Sequence, residues 1–236
     1  MNIYSVIPFK DEPLMTANVT KMCAADPAVK AILLCDNGSS EDSIDKLVEL
    51  TSEIECTKII LDCSNLNIYE MWNVGWQTAS LLNGNLSFNI AFLNNDIEFL
   101  DGTLSALSDL INSDDGIWVA YPDYNKSNAG GVIPDAGFAF TEGTYRHGGM
   151  SGWIFVVRGS IMGMEGFDMF DEQFEWWCGD DDFAFTVQKL GGCQARLLTH
   201  PSEHLVEATA NNGSNEWTHE AKSRDMIKLQ QKWGSR

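Results

Sequence analysis

The chain has 236 residues, of which 44% are hydrophobic and 21% charged, and a net charge of -19 at pH 7. That length is enough for one large globular domain, or two small ones, around a sizeable core. The acidity argues against a broad phosphate-tracking surface for nucleic acid and against docking on anionic lipid, while leaving room for a metal that neutralises carboxylates locally.

No apolar run reaches membrane-spanning length, and Asn2 to Ile7 reads as a strand rather than as a basic leader with an apolar core. The expectation is a cytoplasmic protein without a membrane span; its oligomeric state is open. The six cysteines are scattered without a close C-x-x-C pair, several inside apolar runs, which fits reduced core residues and not a structural zinc site.

In chain order, Ile3 to Ile7 predicts a strand ended by Pro8, and Leu14 to Ala25 a helix. Ala31 to Cys35 is a short apolar run expected as a buried strand, closed by the turn cluster Asp36-Asn37-Gly38-Ser39-Ser40. Ile44, Leu47, Val48 and Ile54 mark the next helix. The strand Thr57 to Leu61 leads through Asn65-Leu66-Asn67 into a helix from about Tyr69 to Leu82, and Phe88 to Leu93 makes a fourth strand closed by Asn94-Asn95-Asp96. A fifth strand is expected near Ile117 to Tyr121. Residues 122–150 are rich in Gly, Asn and Asp with little periodicity, too long for a plain connector, and are read as an acceptor loop or lid, with disorder as the competing reading. Trp153 to Val157 and Ala195 to Leu198 complete the strands. Within the C-terminal tail, residues 215–236, a helix from Glu220 to Trp233 is expected to place Met226, Leu229 and Trp233 on one face.

Strands alternating with helices imply right-handed crossovers and an α/β domain with a mainly parallel central sheet. In such sheets ligands sit beyond the carboxyl ends of the strands. The polar clusters at Asp36, Asn65 to Asn67 and Asn94 to Asp96 all fall at those ends, although each alone is an ordinary turn signal. No repeat or linker divides the chain, so 1–236 is expected to be a single domain.

The most chemically loaded stretch is Trp176-Trp177-Cys178-Gly179-Asp180-Asp181-Asp182-Phe183. Three adjacent carboxylates repel one another, and apolar neighbours raise the cost of ionising all of them. A carboxylate in that setting gains basicity, as a general base for an alcohol requires. Acids also favour a helix N-terminus, and Phe183, Val187 and Leu190 follow at helical spacing before Gly191-Gly192. The two readings are compatible.

Taken in order, Pro8 to Glu12, Asp36 to Ser40, Asn73-Val74-Gly75, Asn94-Asn95-Asp96, Gly166-Phe167-Asp168, Gly179 to Asp182 and a late histidine resemble the inverting family 2 glycosyltransferases, over about Tyr4 to His204. The resemblance implies a GT-A fold and a nucleotide-sugar donor, with a glycan or other hydroxyl acceptor. It implies donor contacts at Pro8, Phe9, Glu12, Asp36, Asn67, Asn73, Asn95 and Asp96. The acidic segment looks like the G-E-D-D-D segment of the metal-dependent β-galactosyltransferases. That likeness makes Asp181 the base, with Asp180 beside it and Asp180 and Asp182 orienting acceptor hydroxyls.

The family's metal motif at the fourth strand corresponds to Asn94-Asn95-Asp96, which keeps only the last carboxylate, so the resemblance implies Mn²⁺ or Mg²⁺ on Asp96 and a late histidine. Spacing before the Asn-Gly-Ser segment favours His204, and position at a strand end favours His200. Trp153, Trp176 and Trp177 are read equally as sugar-stacking surfaces, Trp153 for the acceptor, or as core. Competing functions are a nucleotidyltransferase of related fold, disfavoured by one lysine and no glycine in Pro8 to Leu14, and a non-catalytic acidic module binding sugar or cations. A transferase acting on modified DNA bases is disfavoured by the charge.

Overall fold

Alternation along β1 (Ile3–Phe9) divides its side chains between two apolar layers, Tyr4 and Val6 into one and Ile3 and Ile7 into the other. All are buried, so β1 lies at the centre of a sheet covered on both faces. The computed structural model describes residues 1–123, 138–140, 150, 152–197, 199–205 and 216–234. Most of the expected acceptor loop, and Leu198 of the last expected strand, lie outside the described residues.

From β1 the chain runs through α1 (Pro13–Ala25), β2 (Val29–Asp36), α2 (Glu41–Thr51), β3 (Thr57–Asp62), α3 (Ile68–Asn83) and β4 (Asn89–Leu93). Then follow β5 (Ile97–Phe99), α4 (Thr103–Ser113), β6 (Ile117–Pro122), β7 (Phe138–Phe140), β8 (Ile154–Arg158) and a 3₁₀ turn at Gly159–Gly163. The remainder is α5 (Gly179–Lys189), β9 (Cys193–Leu197), β10 (Ser202–His204) and a C-terminal helix, α6 (Glu216–Trp233).

The main sheet has the order β3-β2-β1-β4-β8-β6-β9-β7. Pairs β3–β2, β2–β1, β1–β4 and β6–β9 are parallel, whereas β8 and β7 run against their neighbours. Strand β1 extends to Phe9, two residues past the expected stop. Pro8 is tolerated because pairing with β4 ends at Val6, so a residue without an N–H removes no ladder bond on that side.

Helices α1, α2 and α4 cover the face carrying Ile3, Ile7, Ile32 and Leu34. The other face holds an aromatic cluster in which Trp72 and Trp76 of α3 meet Phe92, Phe155, Phe170 and Phe183. Phe170 and Phe183 stack at 4.4 Å, tying the 167–174 segment to α5; such a pair contributes about 0.5–1.5 kcal/mol beyond area burial.

The expected elements did not include α4, buried through Leu104, Leu107, Leu110 and Ile111, the antiparallel ribbon of β5 with β10, or β7, which lies inside the expected 122–150 loop and pairs with β9. The register of α6 also differs from expectation. Met226 is 46% exposed, while Ala221 and Asp225 are buried and Leu229 is packed against the core. Polar ties, not an apolar stripe alone, hold this helix to the body.

Candidate active site

The register of the parallel strands brings Phe9, Asp36 and Asp62 to one level at the carboxyl edge of the sheet, with Leu93 ending β4 nearby. Beyond this edge the connecting loops bind one another. Asp11 and Glu12 adopt left-handed backbone, and the Asp11 amide donates to Ser39 Oγ at 2.7 Å while Asp11 Oδ1 accepts from the Ser40 amide at 3.0 Å. Asp36 Oδ1 accepts from the Ser39 amide at 2.9 Å, and Asn37 Oδ1 from the Asn65 amide at 3.1 Å. The expected donor residues Phe9, Glu12 and Asp36 therefore lie on joined loops, with Pro8 and Phe9 themselves buried in β1.

Two other expected donor residues are engaged in building the fold. Asn67 caps α3 with a reciprocal Glu70 contact, and its amide reaches the Glu172 carbonyl at 3.3 Å. Asn73 is buried and binds the Phe170 carbonyl and Glu172 Oε1, both at 2.8 Å, and accepts from the Phe170 amide at 3.1 Å. This side chain pins the 170–172 segment to α3.

The Asn94-Asn95-Asp96 turn is anchored on both sides. The Asn94 amide donates to the Trp153 carbonyl at 2.8 Å, and Asn95 Nδ2 donates to Thr16 Oγ1 at 3.2 Å. Asp96 is 3% exposed, and its Oδ1 lies 2.9 Å from His204 Nε2. The β5–β10 ribbon produces this pair: Ile97 faces His204 in the register, and the Leu205 amide donates to the Asp96 carbonyl. Trp153 stacks on the His204 ring at 5.3 Å and 20°. Of the two candidate histidines, His204 therefore meets Asp96, while His200 Nδ1 pairs with Thr199 Oγ1 at 3.0 Å.

A carboxylate and an imidazole are a chemically suitable, incomplete set for Mn²⁺ or Mg²⁺, which keep several water or phosphate oxygens in their shells. Among the described residues no third histidine, cysteine or acid joins them. A cation here would depend on substrate oxygens.

The acidic segment starts α5. Cys178 precedes it in a left-handed conformation (φ 64°), a geometry costing of order 1–3 kcal/mol that clusters at functional sites. Gly179 follows against the ring of Tyr69, which a Cβ would overlap, and its amide donates to the Tyr69 hydroxyl at 2.9 Å. Asp180 then meets Gly152, where a Cβ would come within 2.9 Å of Asp180 Oδ2. Burial, and next the charge of Asp181, push the Asp180 carboxyl up to about 7, against backbone N–H groups that include that of Gly152.

Asp181 is partly exposed on the first turn. Asp182 points elsewhere. It is 2% exposed and accepts from Trp233 Nε1 at 2.7 Å and Lys232 Nζ at 3.0 Å, both on α6. Its carboxylate docks that helix. Burial raises its pKa, opposed chiefly by Trp233 and Lys232.

Gly152 and Trp153 are consecutive, so one short segment connects Asp180 to His204 and through it to Asp96. Trp177, 42% exposed, carries Lys222 Nζ 4.2 Å from its ring centroid. Sequence reasoning missed Gly152 and Tyr69 because neither residue type marks chemistry; their role is steric, and the contacts span 28 and 110 positions.

No protein-family model matches the chain, and no curated protein does. Solved structures do. A mannosyltransferase, PcManGT from Pyrobaculum calidifontis, in complex with GDP-Man and Mn²⁺, superposes with a TM-score of 0.65 at 9% identity, covering 89% of this chain and 58% of that one. S. aureus TarS 1-349 in complex with UDP gives 0.61 at 13% identity, covering 96% and 71%, and its complex with UDP-GlcNAc gives 0.59 at 14%, covering 88% and 61%. The chain thus spans 58% of the length of the mannosyltransferase it matches. At these identities the likeness is one of fold: this chain has the α/β GT-A architecture, with its acidic cluster and its Asp96–His204 pair at the carboxyl edge of the sheet.

Proposed function

We propose that this chain is an inverting glycosyltransferase that moves a sugar from a nucleoside-diphosphate donor to an acceptor hydroxyl. The observation that carries the reading is the contact path Asp180–Gly152–Trp153–His204–Asp96, which joins a carboxylate of raised pKa to a metal-type pair across one segment. Further support comes from the shared fold with proteins bound to GDP-Man, UDP and UDP-GlcNAc.

In this reading the joined loops at Glu12, Asp36 and Asn95 receive the donor nucleotide. Asp96 and His204 hold a divalent cation, which when bound supplies positive charge against the diphosphate. Asp181 takes the proton from the acceptor hydroxyl, whose oxygen attacks the anomeric carbon from the face opposite the diphosphate. The bond between the anomeric carbon and the diphosphate oxygen breaks, its electron pair leaves with the nucleoside diphosphate, and the configuration inverts. Asp180 is the coupled partner: while it retains its proton it lowers the repulsion on Asp181, and once ionised it raises the basicity of its neighbour.

The test is a panel of UDP- and GDP-sugars with Mn²⁺, scored by calorimetry for binding and by mass spectrometry and NMR for product and anomeric configuration. A β-linked product from an α-linked donor supports the proposal. Binding without transfer to any hydroxyl acceptor favours the non-catalytic module, and pyrophosphate release from a nucleoside triphosphate and a sugar phosphate favours the nucleotidyltransferase.

A further inference from the structure

Besides its contacts with Asp182, helix α6 holds the backbone just ahead of α5 through one buried acid. Asp225 is 0% exposed and takes backbone N–H groups from three consecutive residues: Glu175 at 3.1 Å on Oδ1 and 3.0 Å on Oδ2, and Trp176 and Trp177 at 2.9 Å each on Oδ2. Lys228 Nζ completes its shell at 3.0 Å from Oδ1 and also reaches Glu175 Oε1 at 3.0 Å and the Gln173 carbonyl at 2.6 Å. Arg224 grips the same Glu175 at 2.7 Å. A buried charge satisfied in this way adds little stability over an apolar residue of the same volume; what it adds is direction, because each N–H must point at one carboxylate.

The segment so held is the one that delivers α5 to the site. Trp177 is followed by Cys178 in left-handed backbone, then by Gly179 against Tyr69 and by Asp180 against Gly152. No side chain caps the N-terminus of α5. The Phe170–Phe183 stack and the Asp182 contacts hold the body of α5, whereas the entry to its first turn follows the path of the preceding residues, which Asp225 ties down.

We propose that Asp225 is a positioning residue for the Asp180–Asp181 pair, acting through the backbone of Glu175, Trp176 and Trp177, so that α6 is part of the catalytic assembly. This role rests on the transferase reading for its chemistry, though not for its geometry. It assigns the exposed stretch of α6 around Met226 no part in the site, and predicts that changes at Asp225 act on turnover rather than on donor binding, since Glu12, Asp36, Asp96 and His204 lie on other elements.

The experiment compares the full chain with Asp225→Asn, Asp225→Glu and Lys228→Met. Amide exchange is followed at residues 175–177, and kcat and donor KM are normalised to the donor-binding stoichiometry, so that an unfolded fraction does not mimic slow turnover. The expected result for Asp225→Asn is faster exchange confined to 174–182 and a kcat lowered at least about 10-fold with donor KM within about 2-fold, in line with the cost of a small misplacement. Asp225→Glu restores part of kcat. Lys228→Met, which leaves the three N–H bonds in place, gives a smaller loss of the same kind and serves if Asp225→Asn does not fold. Unchanged kcat with exposed amides overturns the proposal, as does a loss carried by donor KM. Absence of transfer by the unaltered chain counts against the transferase reading alone; amide exchange, which needs no substrate, then decides whether Asp225 holds this segment.

Discussion

Gly152 and Asp180 are in contact so close that a single methyl group at position 152 would press on the carboxylate, at 2.9 Å from Oδ2. The two residues belong to the segments that carry the two halves of the site, β8's entrance with Trp153 and His204 on one side, and the start of α5 on the other.

Gly152→Ala therefore tests whether the distance between these halves matters. The Asp180 side chain must rotate or α5 must withdraw. Transfer is expected to fall roughly 10- to 100-fold, since a displacement of about 1 Å costs that much in rate, while nucleoside-diphosphate affinity stays within about 2-fold. Steady-state kinetics beside calorimetry read both; an equal loss in both quantities would mean that Gly152 only shapes the donor pocket.

Asp180 makes stability depend on pH in a definite direction. Its folded pKa of about 7 lies above the 3.8 of an unperturbed aspartate, so between these values the folded chain keeps a proton that the unfolded chain has lost. This group's contribution is present below about pH 4 and is lost as the pH rises through 7. Asp180→Asn removes the dependence: its Tm should exceed that of the unaltered chain by roughly 3–10 °C at pH 8, with the margin closing toward pH 4. A constant Tm difference across that range would show that Asp180 does not carry the shift. The same titration predicts that the transfer rate rises through about pH 7, where Asp180 ionises and Asp181 gains basicity.

At the other end of the contact path, Asp96→Ala and His204→Ala should each weaken Mn²⁺-dependent binding of a nucleoside diphosphate by about 10- to 100-fold, the range found when part of a metal's ligand environment is lost. EDTA should reduce the unaltered chain to the same level. His200→Ala should bind normally, because His200 pairs with Thr199 and not with Asp96. Binding that ignores EDTA would leave the Asp96–His204 pair as a structural hydrogen bond of the β5–β10 ribbon.

Asp182 sits on the same helical turn and has a different task. Asp182→Ala removes the acceptor of Trp233 Nε1 at 2.7 Å and one of the two carboxylates that Lys232 binds among the described residues, the other being Asp171 at 2.6 Å. The expected cost is about 1–3 kcal/mol, the penalty for removing one partner of a buried polar contact, read as a lower midpoint in urea. Donor binding per folded molecule should be unchanged.

Much of this architecture was legible in the sequence because the signals are local. The strands β1 to β4 announce themselves as apolar runs closed by polar turns, and the turns fall where an α/β sheet keeps its ligands. Of the two late histidines, His204, which the spacing favours, is the one that lies beside Asp96. What escaped is non-local or lacks a period. Strands β5 and β10 have three residues each, too few for an alternation, yet they create the Asp96–His204 pair. The docked face of α6 reads as solvent-facing because Asp225, Lys228 and Lys232 are charged, and their partners on 171–182 explain why buried Asp225 and the two lysines bind the body of the protein. Asp182 is read from the sequence together with Asp180, as an acceptor contact beside Asp181, and nothing local in the run of three marks its contacts with α6. Helical geometry sends residues two apart to opposite sides, and α6 was waiting on one of them.

The central claim is that the acidic cluster performs the chemistry and the joined loops with Asp96 hold the donor. The most direct measurement is the transfer rate of Asp181→Asn with an established donor and acceptor, taken beside its donor affinity. The substitution keeps shape and removes basicity, so affinity should stay within about 2-fold while transfer falls by roughly 10²- to 10⁴-fold. Near-normal turnover in Asp181→Asn, with the donor bound as before, would contradict the account and move the base to another residue.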